Sequence, residues 1–167
     1  MNDKRAISRL LFYWGSSYLI ASFSYYVLRL IMPEGYVFGA LYRMFLYHWA
    51  FPLQYIAIPC FFYGIIASLL ANTFQKNSTQ KRILLTFLII VSTIFISSPF
   101  GGMLWHFHDM QAGHFPANWF SKMIKLGFTW GFETGWLVIA LSIPYNIFGS
   151  IVCFFLTKKG VEVFETK

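Results

Sequence analysis

Long apolar stretches alternate with short polar segments along this chain of 167 residues. Four of the stretches are long enough to cross a bilayer, whose hydrocarbon layer of roughly 30 Å needs about 20 apolar residues in a helix. The predicted spans cover residues 10–32, 51–72, 83–105 and 133–156, and the fourth begins between Leu126 and Leu137. The pattern therefore predicts an all-α membrane protein with four transmembrane helices, forming a single domain over residues 1–167.

Composition supports a lipid environment. Hydrophobic residues make up 57% of the chain and charged residues only 11%, whereas a soluble domain usually has about 25% charged residues. The formal net charge of +7 would suggest nucleic acid as a partner of a soluble protein. Here the basic residues cluster at the ends of the apolar stretches, which indicates membrane lipids as partners and excludes nucleic acid.

The distribution of positive charge predicts an orientation. Nine basic residues fall on one side of the predicted spans, namely Lys4, Arg5, Arg9, Lys76, Lys81, Arg82, Lys158, Lys159 and Lys167. The other side has four, which are Arg29, Arg43, Lys122 and Lys125. Because cytoplasmic segments carry the excess of Lys and Arg, we expect both termini in the cytoplasm, with the bacterial inner membrane as the expected location.

Prolines interrupt three of the four predicted spans. Pro52 and Pro59 lie in the second, Pro99 within a Ser-Ser-Pro-Phe-Gly-Gly segment in the third, and Pro144 in the fourth. A proline removes a backbone donor and clashes with the preceding helical turn. We expect kinked helices, or a broken helix that lines a cavity as in transporters.

Small residues predict where helices approach closely. Gly127, Gly131 and Gly135 recur every four residues on one face of the fourth span, and Ser17, Ala21 and Ser24 form a similar stripe on the first. Small faces of this kind allow two backbones to come into contact. The two faces are expected to pair with each other, or the glycine face is expected to form a homo-oligomer or a larger membrane complex.

Two further segments are expected on the outer side. The segment from Pro33 to Trp49 is apolar but contains several tyrosines together with Arg43 and His48. It is predicted as a short interfacial helix or as an extension of the second span. The segment from His106 to Ser121 is predicted as the most polar external loop.

This predicted loop holds the candidate metal ligands, which are His106, His108, Asp109 and His114. In an extended segment His106 and His108 would point the same way, and Gly113 would let the chain turn back. Three imidazoles and a carboxylate are sufficient to bind Zn²⁺ or Cu²⁺. Handling of a polar substrate or a proton, or plain hydrogen bonding near the headgroups, are the alternatives.

Glu133 is the leading candidate for ligand binding or proton handling, because a carboxylate inside a span is costly and is commonly functional. Arg29, Arg43 and His48 are expected near it at the outer interface. The alternative role of Glu133 is a salt bridge to Arg29, Arg43 or Lys125. Counting outward along each span places His106, His108, His114 and Glu133 at one depth, and we expect them to share one ligand.

Three functions remain open at this point. The first is a small transport or ligand-binding component with an outward-facing His/Asp/Glu site that has the ligands for a metal ion. The second is an interfacial enzyme acting on a lipid or lipid-linked substrate, and the third is a structural subunit of a larger membrane complex. The proline-interrupted spans and the intramembrane carboxylate favour the first.

Overall fold

In a computed structural model, which describes residues 3–31, 51–141 and 143–165, the chain is all-helical. The described residues form five helices, which are α1 (Asp3–Ile31), α2 (Pro52–Lys76), α3 (Thr79–Ala112), α4 (Trp119–Leu141) and α5 (Ile143–Glu165). The predicted interfacial segment from Pro33 to Trp49, with Arg43 and His48, lies outside the described residues.

Helices α2 and α3 are each long and apolar enough to cross a membrane. Helices α4 and α5 meet that criterion only together, as a pair whose axes differ by 88°. The described residues therefore contain two candidate spans, or three if the bent pair is one span, and the predicted count of four is not confirmed. Helix α1 is less apolar because serines and tyrosines occupy much of its length.

The predicted fourth span is divided. Helix α4 ends at Leu141 and α5 begins at Ile143, so residues 133–156 belong to two helices and not to one. Pro144 is the second residue of α5, in the first helical turn, where a missing amide costs little. Proline thus marks the point at which the predicted span divides.

The other prolines do not break their helices. Pro52 begins α2, and the backbone stays helical through Pro59 in α2 and Pro99 in α3. Helix α3 accordingly runs for 34 residues without interruption. The alternative of a helix broken at the Ser-Ser-Pro-Phe-Gly-Gly segment is wrong, and the alternative of proline-kinked helices is not confirmed.

The glycine face of α4 packs against α3. A Cβ added to Gly131 would lie 2.5 Å from Pro99 Cα and from Ser98 O, and one added to Gly102 of α3 would lie 2.5 Å from Gly127 O. Gly135 faces Ser98 in the same way. Close packing through these glycines is confirmed, but the neighbour is α3 and not the predicted stripe of α1. A partner that used this face would have to displace α3.

Helices α1, α2 and α5 are tied together by buried tyrosines. The hydroxyl of Tyr13 donates to the carbonyl of Thr157 at 3.3 Å. The hydroxyl of Tyr63 lies 2.9 Å from Thr157 Oγ1 and donates to the carbonyl of Cys153 at 3.2 Å. Because a buried polar group without a partner is costly, these contacts fix the register of the three helices.

Candidate ligand-binding cavity

A cavity of about 270 Å³ lies between α1, α2, α3 and α5. The small-residue stripe of α1 forms one wall, with Ser17, Ala21 and Ser24. Helix α5 contributes Gly149 to another wall. An added Cβ on this glycine would meet no atom within 4 Å. The stripe that we expected to pair with the glycine face of α4 therefore borders the cavity, and its Ala21 packs against the buried residues Tyr55, Ile56 and Cys60 of α2.

The cavity lining is apolar with scattered uncharged polar groups. Besides aliphatic side chains it includes hydroxyl, thiol and amide groups, and no charged side chain from the described ranges lines it. Its polar residues are Ser17, Ser24, Tyr25, Tyr55, Cys60, Tyr63, Thr93, Tyr145, Asn146 and Cys153. Such a lining suits an uncharged, mainly apolar molecule.

Several of these polar groups are already bonded within the protein. Ser17 Oγ donates to the carbonyl of Trp14 at 3.0 Å. The amide nitrogen of Asn146 donates to the carbonyls of Val138 and Ile139 at 3.3 and 3.1 Å, which holds the start of α5 to the end of α4. These bonds pair the hydroxyl of Ser17 and the amide nitrogen of Asn146 within the protein, so neither of these two donors is left without a partner at the cavity wall.

Both cysteines face this space. Cys60 is buried in α2 and Cys153 is partly buried in α5, and both are free thiols. Each of the two cysteines lies within an apolar stretch of the sequence, and the folded chain brings both to the wall of the same cavity.

Tyr55 connects the cavity with His108. Its ring lines the cavity wall, and its hydroxyl lies 3.0 Å from Nδ1 of His108. The imidazole is 6% exposed and packs against the ring of Phe51, with 4.3 Å between the ring centroids. One of the predicted polar residues is therefore next to the cavity, held by the start of α2 and the end of α3.

His106 lies on a different side of α3. Its ring is near the stacked pair Trp105 and Trp130, whose centroids are 4.0 Å apart. Residues 106–112 continue α3, and successive residues of a helix are rotated by about 100°. His106 and His108 are thus about 200° apart. The expectation of an extended segment that points both the same way is wrong.

The remaining predicted ligands are dispersed. Asp109, His114, Glu133 and Arg29 are all exposed. Over residues 3–31, 51–141 and 143–165, no three His, Cys, Asp or Glu side chains form a group that could hold a metal ion. The expected convergence of His106, His108, His114 and Glu133 on one ligand is absent from that part of the chain.

The predicted ion pair of Glu133 is not formed with either basic residue that the structure describes, Arg29 or Lys125; the third, Arg43, lies outside those ranges. The carboxylate is on the exposed side of α4, away from the buried glycine face. Glu133 and the cavity are on different surfaces of the molecule.

Sequence reasoning missed the cavity residues, although one pattern pointed to them. Buried residues in α2 recur at spacings of four and three, at Ile56, Cys60, Tyr63, Ala67, Ala71 and Phe74. This spacing marks the inward face of a helix. A buried tyrosine on a helix needs a hydrogen-bond partner for its hydroxyl. This requirement applies to Tyr63, which follows the spacing, and to Tyr55, which is also buried in α2.

Comparison with known proteins gives no relative. No protein family, curated protein or solved structure matches the chain.

Proposed function

We propose that this protein is a small membrane component that binds an apolar molecule from the bilayer in the cavity between α1, α2, α3 and α5. The observation that carries the proposal is the cavity itself, with a volume of about 270 Å³ and an uncharged lining in the described part of the chain. An apolar cavity of about 150 Å³ already holds a molecule of the size of benzene. The larger volume accommodates a short hydrocarbon chain.

Of the three functions that the sequence left open, the proposal keeps the ligand-binding component. It places the binding site in the apolar cavity and not at the outward-facing His/Asp/Glu residues. The outward-facing polar groups that the structure describes form no group that could hold a metal ion, so they give a metal site no geometric support. The interfacial enzyme would need a general base facing its substrate, and no histidine or carboxylate of the described ranges lines the cavity. The structural subunit would use the glycine face, which α3 fills.

Orientation in the membrane is part of the same proposal. The apolar helices α2 and α3 suit membrane insertion. The bias of nine basic residues against four supports a cytoplasmic side at the turn between α2 and α3, with the bacterial plasma membrane as the proposed location. In this orientation His108 lies near the outer interface.

A matched pair of glycine variants tests the binding proposal. Gly149 lines the cavity, Gly15 does not, and an added Cβ meets nothing within 4 Å at either position. A side chain at either position therefore meets no neighbouring atom at its Cβ, and only Gly149→Phe introduces its ring at the cavity wall. The probe is n-octane, and the measurement is the thermal unfolding midpoint of the protein in lipid nanodiscs.

We expect n-octane to raise the midpoint of the wild type and of Gly15→Phe, because a ligand that binds only the folded state stabilises it. Gly149→Phe should show no rise. An equal response of all three proteins would mean that n-octane acts through the lipid, and the proposal would be abandoned.

A further inference from the structure

Thr93 differs from three other hydroxyl residues of α3, which are Thr86, Ser97 and Ser98. Thr86 Oγ1 donates to the carbonyl of Arg82 at 2.8 Å, Ser97 Oγ to that of Ile94 at 3.2 Å and Ser98 Oγ to that of Ile94 at 2.6 Å. Such bonds to the preceding turn are the usual solution for Ser and Thr in apolar helices. The Oγ1 atom of Thr93 is buried and has no hydrogen-bond partner in the described structure.

The hydroxyl of Thr93 lies at the cavity wall, where a bound molecule could supply the missing hydrogen bond. Thr93 is only 6% exposed, and it lines the cavity together with residues of α1, α2 and α5. A buried hydroxyl without a hydrogen bond costs free energy that a ligand would recover by bonding to it. The nearby polar groups of Ser17, Tyr63 and Asn146 already have partners within the protein. Thr93 is thus the polar group best placed to recognise a ligand.

The lining also limits the charge of that ligand. An ionised phosphate or carboxylate in an apolar cavity needs a paired charge or several donors. The walls built by the described helices hold no lysine, arginine or histidine. A charged headgroup therefore has no counterpart beside Thr93, whereas a neutral hydrogen-bonding group needs only one partner.

We infer that the cavity selects a neutral lipid with one uncharged hydrogen-bonding group, a hydroxyl or an ester carbonyl, which bonds to Thr93 Oγ1. This inference rests on the proposed function, since it names the class of molecule that the cavity takes. The hydrocarbon chain occupies the apolar space, and the hydroxyl of Thr93 donates to the neutral group or accepts from it. Thr93 is a specificity-determining residue in this scheme.

Four probes with chains of similar length separate the chemistries: n-octane, 1-octanol, methyl octanoate and octanoate. The midpoint shift in nanodiscs, followed against probe concentration, gives an apparent dissociation constant for each. We expect 1-octanol, methyl octanoate or both to bind about three- to ten-fold more tightly than n-octane, as one added hydrogen bond predicts. Octanoate should give no saturable shift. Comparison of the apparent dissociation constants of 1-octanol and methyl octanoate shows whether Thr93 prefers a hydroxyl or an ester carbonyl.

Thr93→Val is the decisive variant because it removes the hydroxyl and keeps the shape. It should bring every neutral probe to the affinity of n-octane. Without probe, Thr93→Val should unfold at the same temperature as the wild type or higher, since the hydroxyl it loses has no partner. Thr86→Val, on the same helix but outside the cavity, should keep the preference for neutral polar probes.

The possible failures are distinct. If n-octane itself binds nowhere, the proposed function fails and the inference with it. If n-octane binds and Thr93→Val leaves the order of affinities unchanged, only the inference is overturned. Saturable binding of octanoate would likewise overturn the neutral-lipid assignment and leave the cavity as a binding site.

Discussion

The glycines of this protein occupy two contrasting environments. At Gly127, Gly131 and Gly102, an added Cβ would collide with atoms of the facing helix, so the absence of a side chain is what allows α3 and α4 to touch. At Gly15 and Gly149, an added Cβ would meet nothing within 4 Å. Glycine therefore allows close helix packing at Gly102, Gly127 and Gly131, whereas Gly15 and Gly149 border open space.

Gly131→Ala should destabilise the protein because its Cβ would be placed 2.5 Å from backbone atoms of Ser98 and Pro99. Overpacking of this kind costs about 1–3 kcal/mol. Gly15→Ala is the matched control and should be neutral or stabilising, by up to about 1 kcal/mol, since alanine favours a helix over glycine. Equilibrium unfolding in detergent measures both. Equal stability of the two variants would show that α3 and α4 are not in close contact.

Tyr55→Phe should weaken the connection between α2 and α3. It removes the hydroxyl that lies 3.0 Å from His108 Nδ1, and one such hydrogen bond contributes about 0.5–1.5 kcal/mol. Tyr26→Phe is the control because Tyr26 is 46% exposed on α1. The measurement is the free energy of unfolding of both variants. A loss of stability in Tyr26→Phe alone would contradict a hydrogen bond between Tyr55 and His108 that stabilises the protein.

At the scale of the helices, sequence patterns identified apolar segments better than their ends. The cores of α2 and α3 fall within the predicted spans, yet α3 continues to Ala112, past the predicted end at residue 105. The polar residues His106, His108 and Asp109 suggested a loop, because a polar segment after an apolar run usually leaves the membrane. Tertiary contacts of His108 with Tyr55 and Phe51 stabilise the extra turns, and such contacts are not visible in a single sequence.

The sequence also did not show which helix packs against the glycine stripe. The spacing of Gly127, Gly131 and Gly135 identified a face for close packing, and that face is buried. Which helix fills it depends on the arrangement of all five helices. The sequence alone predicts a helix break at Pro99 and a contact face at the glycine stripe, without relating the two. In the structure they are the two sides of one contact.

The orientation of the helices is testable by cysteine labelling. After Cys60 and Cys153 are replaced by alanine, single cysteines at Gln111 and Ser78 report the two ends of α3, and both positions are exposed. The positive-inside bias predicts that a membrane-impermeant maleimide labels Gln111→Cys on intact cells and labels Ser78→Cys only after lysis. The reverse pattern would place His108 on the cytoplasmic side.

At the scale of the whole molecule, the cavity arises from the way four helices meet. Its walls combine Ser17 and Ala21 with Cys60, Thr93 and Cys153, residues that are far apart in sequence. Composition and periodicity predicted a membrane protein of helices, and these features depend on local sequence. The cavity depends on contacts between distant segments, and local sequence patterns do not show which distant segments meet.

Photolabelling of the cavity walls tests the central claim most directly. A long-chain alcohol that carries a diazirine in its chain is added to nanodiscs holding the wild type, Gly149→Phe or Gly15→Phe, and labelled residues are mapped by mass spectrometry. We predict labelling around Ile94 and Val152, which line the cavity, in the wild type and Gly15→Phe, and its loss in Gly149→Phe. Labelling of Leu69, which is 74% exposed and does not line the cavity, should be the same in all three. Equal labelling of Ile94 and Val152 in all three proteins, or labelling confined to exposed positions such as Leu69, would contradict a ligand-binding cavity.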